Sequence, residues 1–385
     1  MDHYDVIVLG VGSMGAAACN ALADRGVSVL GLDTYTPGHA HGAHHGGTRI
    51  IRQSYFEDAA YVPLLRSSYA GFRRLEEESG RSLMTLCGGI YVGDPGSTTF
   101  AGSLAAAQEH GLDHEVLTAE QVHERFPSMT PAPDALALYE AAAGYVRPEE
   151  TVVANAEVAA RKGATLRFGE PVTWWGATPG GGVEVVTPQG RYGADRLVVS
   201  PGPWAPEVLA DLQLPLSIER MVFHWFTPDT STVPYEHWSD AHHPVYIEQT
   251  HGNHQIYGFP MTDGPDGGFK LGFFRVGSPT TAATIDRVVR EEENDRMLER
   301  ARELFPLLGR PVVQAKTCLY SVTPDEHFVV GQHPGHLQVS VACGFSGHGF
   351  KFVPVIGEIL ADLATTGTTD HPVELFDPRR PVLAG

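Results

Sequence analysis

Residues 5–33 restrict the fold more than any other stretch of the chain. Residues 5–9 (DVIVL) are a short β-branched apolar run of the kind that makes a buried strand. Gly10, Gly12 and Gly15 follow at GxGxxG spacing, with Ser13 and Met14 among them. Residues 16–25 are alanine-rich and helical in pattern, stopped by Gly26, and a second apolar run over 27–32 ends in Asp33. Together these make a complete βαβ unit with the acid roughly 20 residues beyond the glycines. Gly10 permits the tight turn, Gly12 lets backbone approach a pyrophosphate, and Gly15 lets helix and strand pack closely. The helix N-terminus supplies unpaired N–H groups, and Asp33 can accept from a ribose diol. The unit leaves open whether the nucleotide is FAD or NAD.

Further along, the pattern predicts helices over 61–78 and 149–162 and strands over 88–92, 136–140 and 165–168. A hairpin is expected through the 179–182 turn, then a buried strand over 196–200 that returns the chain to the parallel sheet. Residues 219–276 alternate in the manner of an antiparallel sheet, and 285–305 reads as one long charged amphipathic helix. A strand over 336–342, the glycine turn 344–349 and a helix over 350–363 suggest that the chain comes back to the nucleotide domain. The expected class is therefore α/β plus α+β: a Rossmann-like nucleotide-binding domain from segments 1–85, 145–217 and 320–385, interrupted by a substrate domain from 86–144 and 218–319.

The net charge of −19 argues against nucleic acid and anionic membranes as partners, because both demand basic surface. A small molecule is the expected partner. Cys19, Cys87, Cys318 and Cys343 lie far apart, which suggests neither a disulfide framework nor a zinc site. The histidines His39, His41, His44 and His45 match no standard ligand spacing, so no metal is expected. The N-terminus has no basic leader, no apolar run is long enough to span a bilayer, and Val382-Leu383-Ala384-Gly385 is no peroxisomal address. Cytoplasmic residence is the expectation.

Six further stretches carry a resemblance. His44-His45-Gly46-Gly47-Thr48-Arg49-Ile50-Ile51-Arg52, Tyr257-Gly258-Phe259-Pro260, Lys270-Leu271-Gly272, Cys318-Leu319-Tyr320, Pro324-Asp325-Glu326-His327-Phe328 and Phe345-Ser346-Gly347-His348-Gly349-Phe350-Lys351-Phe352 are similar, in order and spacing, to the monomeric sarcosine oxidase and N-methyl-L-tryptophan oxidase family. The resemblance implies a monomeric FAD-dependent oxidase of secondary amino acids. It would pass hydride to the flavin, let the imine hydrolyse and reduce O2 to hydrogen peroxide, with FAD held covalently through Cys318.

By the same resemblance Arg52 and Lys351 clamp the substrate carboxylate, one as a planar fork and one as a point charge. Lys270 serves the oxygen reaction, and His45 and Arg49 place a positive field against the flavin. Tyr257, Tyr320 and His348 shape the substrate site, and the Gly347 to Gly349 turn aims its amides at the flavin. Thr48, Val172 and Gly202 are expected to join Gly10, Gly12, Ser13, Met14, Gly15 and Asp33 around the cofactor. Two positions depart from the family: Phe274 stands where sarcosine oxidase has a histidine, and Gly47 where an aspartate often follows His-His-Gly. An oxidase of L-proline or L-pipecolate is a close alternative. An NAD-dependent dehydrogenase explains the βαβ unit equally well but leaves Cys318 and the C-terminal turn without a role. A non-catalytic nucleotide-binding protein is the third reading.

Overall fold

The computed structural model describes residues 2–252 and 254–383, so Ala384 and Gly385 of the C-terminal reading lie outside the described residues. The βαβ unit comprises strand Asp2–Leu9, helix Ser13–Asp24 and strand Val29–Asp33, the strands parallel with Val6 opposite Val29 and Leu9 opposite Leu32. The first strand starts earlier than its apolar run because Asp2, His3 and Tyr4 pair with Tyr192, Gly193 and Ala194. The second starts later because Ser28 is spent on the turn, its carbonyl taking the Asp5 and Val6 amides and its own amide donating to the Asp5 carboxylate. Gly15 sets the approach of helix to strand: a Cβ there would stand 1.7 Å from the Gly10 carbonyl oxygen.

Strand Thr165–Phe168 extends this sheet on one side, and Gly190–Val199 runs parallel to the first strand on the other. The latter is long enough to serve two partners. Its start pairs antiparallel with Val183–Thr187, and Leu197, Val198 and Val199 pair in parallel with strand His336–Cys343. The C-terminal return to the nucleotide sheet is thus present. Its helix begins as a 3-10 turn, Phe350–Phe352, and becomes α-helical over Val353–Thr365, where Pro354 occupies the first turn and needs no N–H partner. Leu22, Val8, Ile356 and Leu360 are all fully buried in the core these elements share.

A second sheet is mainly antiparallel. Strand Ser217–Pro228 lies between Phe269–Phe273 and the long Leu308–Val322, and the sheet continues through Ile256–Phe259 and Val245–Gln249. Gly89–Gly93 then joins in parallel, followed by Leu136–Glu140 and Glu115–Thr118. A small third sheet of Arg49–Ile51, Gly144–Val146 and Met84–Thr85 positions the segment that carries the arginines.

The long helix expected over 285–305 is corrected to Glu291–Ala301. Asp286 accepts the Val288 amide and binds Arg290, while Arg220 takes the Asp286 and Val288 carbonyls. Those contacts hold 286–290 in a turn that ends at an extended Arg290, so the charge pattern continues where the helix does not. Among the described residues no helix is long and apolar enough to cross a membrane.

Candidate functional site

A cavity of about 370 Å³ runs from the glycine turn of the βαβ unit to a group of buried cations. At its first end the wall is mainly backbone. Gly10, Gly12, Ser13 and Met14 present the start of the first helix, which has no acidic residue in its first turn and no side-chain cap, so its amides and positive dipole end are free for an anion. Asp33 lies on the same wall. Its Oδ2 accepts the Val11 amide at 2.8 Å and its Oδ1 the Tyr35 amide at 2.8 Å, which fixes the carboxylate at the strand end. Burial raises its pKa and those amides oppose the rise. Val172 and Gly202 also lie on the wall, the latter in the turn that leaves strand Gly190–Val199. An uncapped helix start beside a fixed carboxylate has the donors and acceptor that a dinucleotide needs.

The loop into Arg49 is pinned from two sides. Glu149, in the first turn of helix Pro148–Arg161, accepts the Gly46 amide at 2.6 Å and the Gly47 amide at 3.2 Å. Lys270 donates through Nζ to the Gly46 carbonyl at 2.6 Å, the Thr48 carbonyl at 3.0 Å and the Thr48 hydroxyl at 2.9 Å. Acid grips the N–H groups and base grips the C=O groups, so the loop is held without a strand partner. The Lys270 ammonium is fully committed to these acceptors, and burial, then Arg49, depress its pKa well below the ordinary value. Arg49 donates to the Thr48 and Ala43 carbonyls, and its Nη2 lies 3.7 Å from Cys318 Sγ.

Arg49 and Ala43 stand on the cavity wall, with Cys318 Sγ 3.7 Å from the Arg49 Nη2 and from the Ala43 carbonyl; Cys318, Gly15, Thr48, His45 and Lys270 are not part of that wall. Of the two residues expected to set a positive field, Arg49 lines the cavity and His45 does not. His45 is 4% exposed, and burial with the Arg49 charge lowers its pKa to about 3, so its ring is neutral at ordinary pH. The neighbouring rings pack on one another, His41 stacked on Tyr35 at 4.2 Å and His39 edge-on to His44 at 4.7 Å.

At the other end Arg52 is 1% exposed and Lys351 5% exposed, and both lie on the wall. Arg52 donates to the Ser54 carbonyl at 2.7 Å and to Glu57 Oε2 at 2.5 Å. Burial is the largest single influence on Glu57 and raises its pKa, but Arg52, His348, Lys351 and Arg275 together overcome it and hold the value at about 2. Lys351 donates to the His348 carbonyl at 2.8 Å, and burial followed by Arg52 pulls its pKa down to about 7. His348 is neutral, its pKa lowered by burial to about 3. Gly347 lies against the Tyr320 ring, where a Cβ would come within 2.2 Å.

The remaining wall is aromatic. Tyr257 and Tyr320 hydroxyls meet at 3.3 Å, and the Phe274 ring stands 6.4 Å from each of theirs, nearly perpendicular to Tyr257. Burial raises the pKa of both phenols, so they remain protonated. Glu57, Tyr55 and Glu149 are the participants that sequence reasoning missed. Only Glu57 left a readable signal, an acid five positions after a candidate carboxylate-binding arginine. Away from the cavity, Asp211, His333 and His336 bring ligand-type atoms within 4.8 Å of one another. His333 Nδ1 accepts the Gly335 amide, and its Nε2 faces Asp211 at 2.9 Å.

Against this geometry stand the similarities to known proteins. The family described as FAD dependent oxidoreductase matches residues 5–363. The chain is 51% identical over 378 residues to the monomeric sarcosine oxidase of Streptomyces avermitilis, covering 98% of this chain and 97% of that one. It is 33% identical over 384 residues to the N-methyl-L-tryptophan oxidase of Yersinia pestis, covering 98% and 99%. Among solved structures it superposes on the open form of NikD, an unusual amino acid oxidase essential for nikkomycin biosynthesis, with TM-score 0.84, 25% identity and 98% of each chain covered.

Proposed function

The chain belongs to the FAD-dependent oxidoreductase family, among the monomeric sarcosine oxidases, and on that premise we propose that it oxidises N-methyl or other secondary amino acids at the expense of O2. The observation that carries the reading is the single cavity that joins an anion-ready helix N-terminus beside Asp33 to two buried cations, Arg52 and Lys351. Segments 1–85, 145–217 and 320–385 would hold the nucleotide, and 86–144 and 218–319 would supply most of the aromatic substrate wall.

Arg52 and Lys351 receive the substrate carboxylate. One Arg52 nitrogen is already engaged by Glu57, so the incoming carboxylate meets the remaining donors or exchanges with Glu57. Among the described residues at this end, the groups that could act as a base are weak or already engaged. Glu57 is paired and acidic, His348 is neutral, and Tyr257 and Tyr320 are protonated phenols beside the Phe274 ring. Such a wall penalises an ammonium and favours the neutral amine that this oxidation requires. FAD, when bound, supplies the acceptor for the hydride on the carbon next to nitrogen and the route for its two electrons to O2, which leaves as hydrogen peroxide. The imine product adds water and separates into the primary amine and an aldehyde. Cys318 is the residue proposed to attach the cofactor covalently. Burial raises its thiol pKa, and the Arg49 charge, then a backbone hydrogen bond at Leu319, then Lys270 work against that rise.

Anaerobic mixing with sarcosine, N-methyl-L-tryptophan, L-proline, L-pipecolate and glycine tests the reading. Bleaching of the yellow bands by an N-methyl amino acid, with colour and peroxide returning in air, is expected. A spectrum unmoved by every compound in that series refutes it. Colour that stays with the denatured polypeptide supports attachment through Cys318, whereas flavin in the filtrate overturns it. Size-exclusion chromatography is expected to give a monomer.

A further inference from the structure

Tyr55 is fully buried, and its ring lies beside both cations of the proposed carboxylate site. The Arg52 guanidinium carbon lies 4.3 Å from its ring centroid and the Lys351 ammonium 5.1 Å from the same centroid. Its hydroxyl lies 2.5 Å from His348 Nδ1. The direction of that bond follows from the other ring nitrogen. His348 Nε2 faces the Glu326 carbonyl at 3.0 Å, and a carbonyl only accepts, so Nε2 carries the proton and Nδ1 must accept from the phenol. Tyr55 is a reliable donor because burial raises its pKa well above the ordinary value.

The charges around this ring do not balance. Arg52 has Glu57 and the Ser54 carbonyl, while Lys351 has one carbonyl, that of His348. Two dehydrated cations therefore share one carboxylate, with Arg275 near enough to oppose Lys351 further. An aromatic face offers negative potential without a counter-charge that would compete with substrate. Phe56 adds a second face to Arg52 at 4.1 Å, but for Lys351 the closest aromatic face is Tyr55 itself.

We propose that Tyr55 is a positioning residue of this site: its ring keeps Arg52 and Lys351 charged side by side until a carboxylate arrives, and its hydroxyl holds the His348 turn that carries Lys351. The proposal rests on the reading that Arg52 and Lys351 bind a carboxylate. Ring and hydroxyl make separable contributions, which a purely structural tyrosine would not.

The test uses the FAD-loaded protein, acetate as probe and calorimetry across pH. Affinity for acetate should fall as Lys351 loses its proton, and the groups that set that midpoint are Arg52, Glu57, Arg275, His348 and Tyr55. Tyr55→Phe should keep acetate affinity within about twofold and leave the midpoint in place, because the ring remains. The same variant should lower kcat for the amine without raising KM, since only the His348 bond is lost. Tyr55→Met should weaken acetate by roughly tenfold, the scale of one lost cation–π contact, and move the midpoint to lower pH. If the methionine variant does not fold, phenylalanine carrying successive fluorines at residue 55 preserves shape while emptying the π face, and acetate affinity should fall stepwise. Wild-type affinity and midpoint in both the methionine and fluorinated proteins would overturn the ring's role, and an unchanged kcat in Tyr55→Phe would overturn the hydroxyl's. Arg52→Met separates the two levels: if it too binds acetate normally, the carboxylate reading itself has failed.

Discussion

The two ends of the cavity bind through different physics. At the proposed nucleotide end the available donors are the amides around Gly12, Ser13 and Met14, and the charge there, Asp33, is held by the Val11 amide within the βαβ unit and the Tyr35 amide just after it. At the proposed amine end the candidate groups are buried cations with unlike supports: Lys270 is held by the remote 46–48 loop, whereas Lys351 is held by the carbonyl of His348 in the turn just before it. A backbone cradle is intolerant of added volume and indifferent to pH. A cluster of dehydrated cations tolerates small changes of shape but is sensitive to any change in charge.

Substitutions at the two ends should therefore fail in different ways. The largest effect is expected from Gly15→Val, whose branched side chain has no room beside the Gly10 carbonyl. Soluble yield and flavin content should both collapse, and a yellow, normally melting variant would remove the cradle account. Arg52→Met strands the Glu57 carboxylate in the interior, a defect of about 3 to 5 kcal/mol. A lower melting temperature is expected, together with a KM for sarcosine raised roughly a hundredfold, while flavin content stays normal.

Lys270→Met should slow the reaction with O2 on the order of a hundredfold, the scale of a lost preorganised donor, and slow the anaerobic amine reaction far less. Equal losses in stopped-flow measurements of the two half-reactions would refute its role. Lys351 gives a smaller, pH-dependent effect. Its pKa in the folded protein is about 7 against an ordinary 10.5, so between those values the unfolded chain binds a proton that the native state does not. Stability contributed by this group must then rise as pH climbs through that window, and Lys351→Met should flatten the rise in denaturant titrations. The smallest effect is expected from Tyr257→Phe, which loses one 3.3 Å hydroxyl contact and should cost about 1 kcal/mol or less.

What could be read in advance follows the same division. Gly10 to Asp33 was legible because strand, turn, helix and acid are neighbours along the chain and their roles are imposed by backbone geometry. The charged stretch 285–305 misled because helical periodicity was real but Asp286 and Arg220 claimed the backbone at its start. The charge of His45 could not be read from its motif, because a histidine's protonation depends first on burial, which the chain does not write locally.

By itself, then, the sequence determined a nucleotide-binding βαβ unit, an interrupted chain that returns to it, and a family resemblance that names the cations Arg49, Arg52, Lys270 and Lys351. Only the tertiary structure decided which of those cations face the cavity, which are neutralised, and which acids and rings hold them. Glu149 reaches the 46–47 amides across a hundred residues, and Tyr55 meets Lys351 across nearly three hundred. Backbone geometry is encoded locally, whereas the energy of a buried charge depends on everything that packs around it, and only the folded chain brings those groups together.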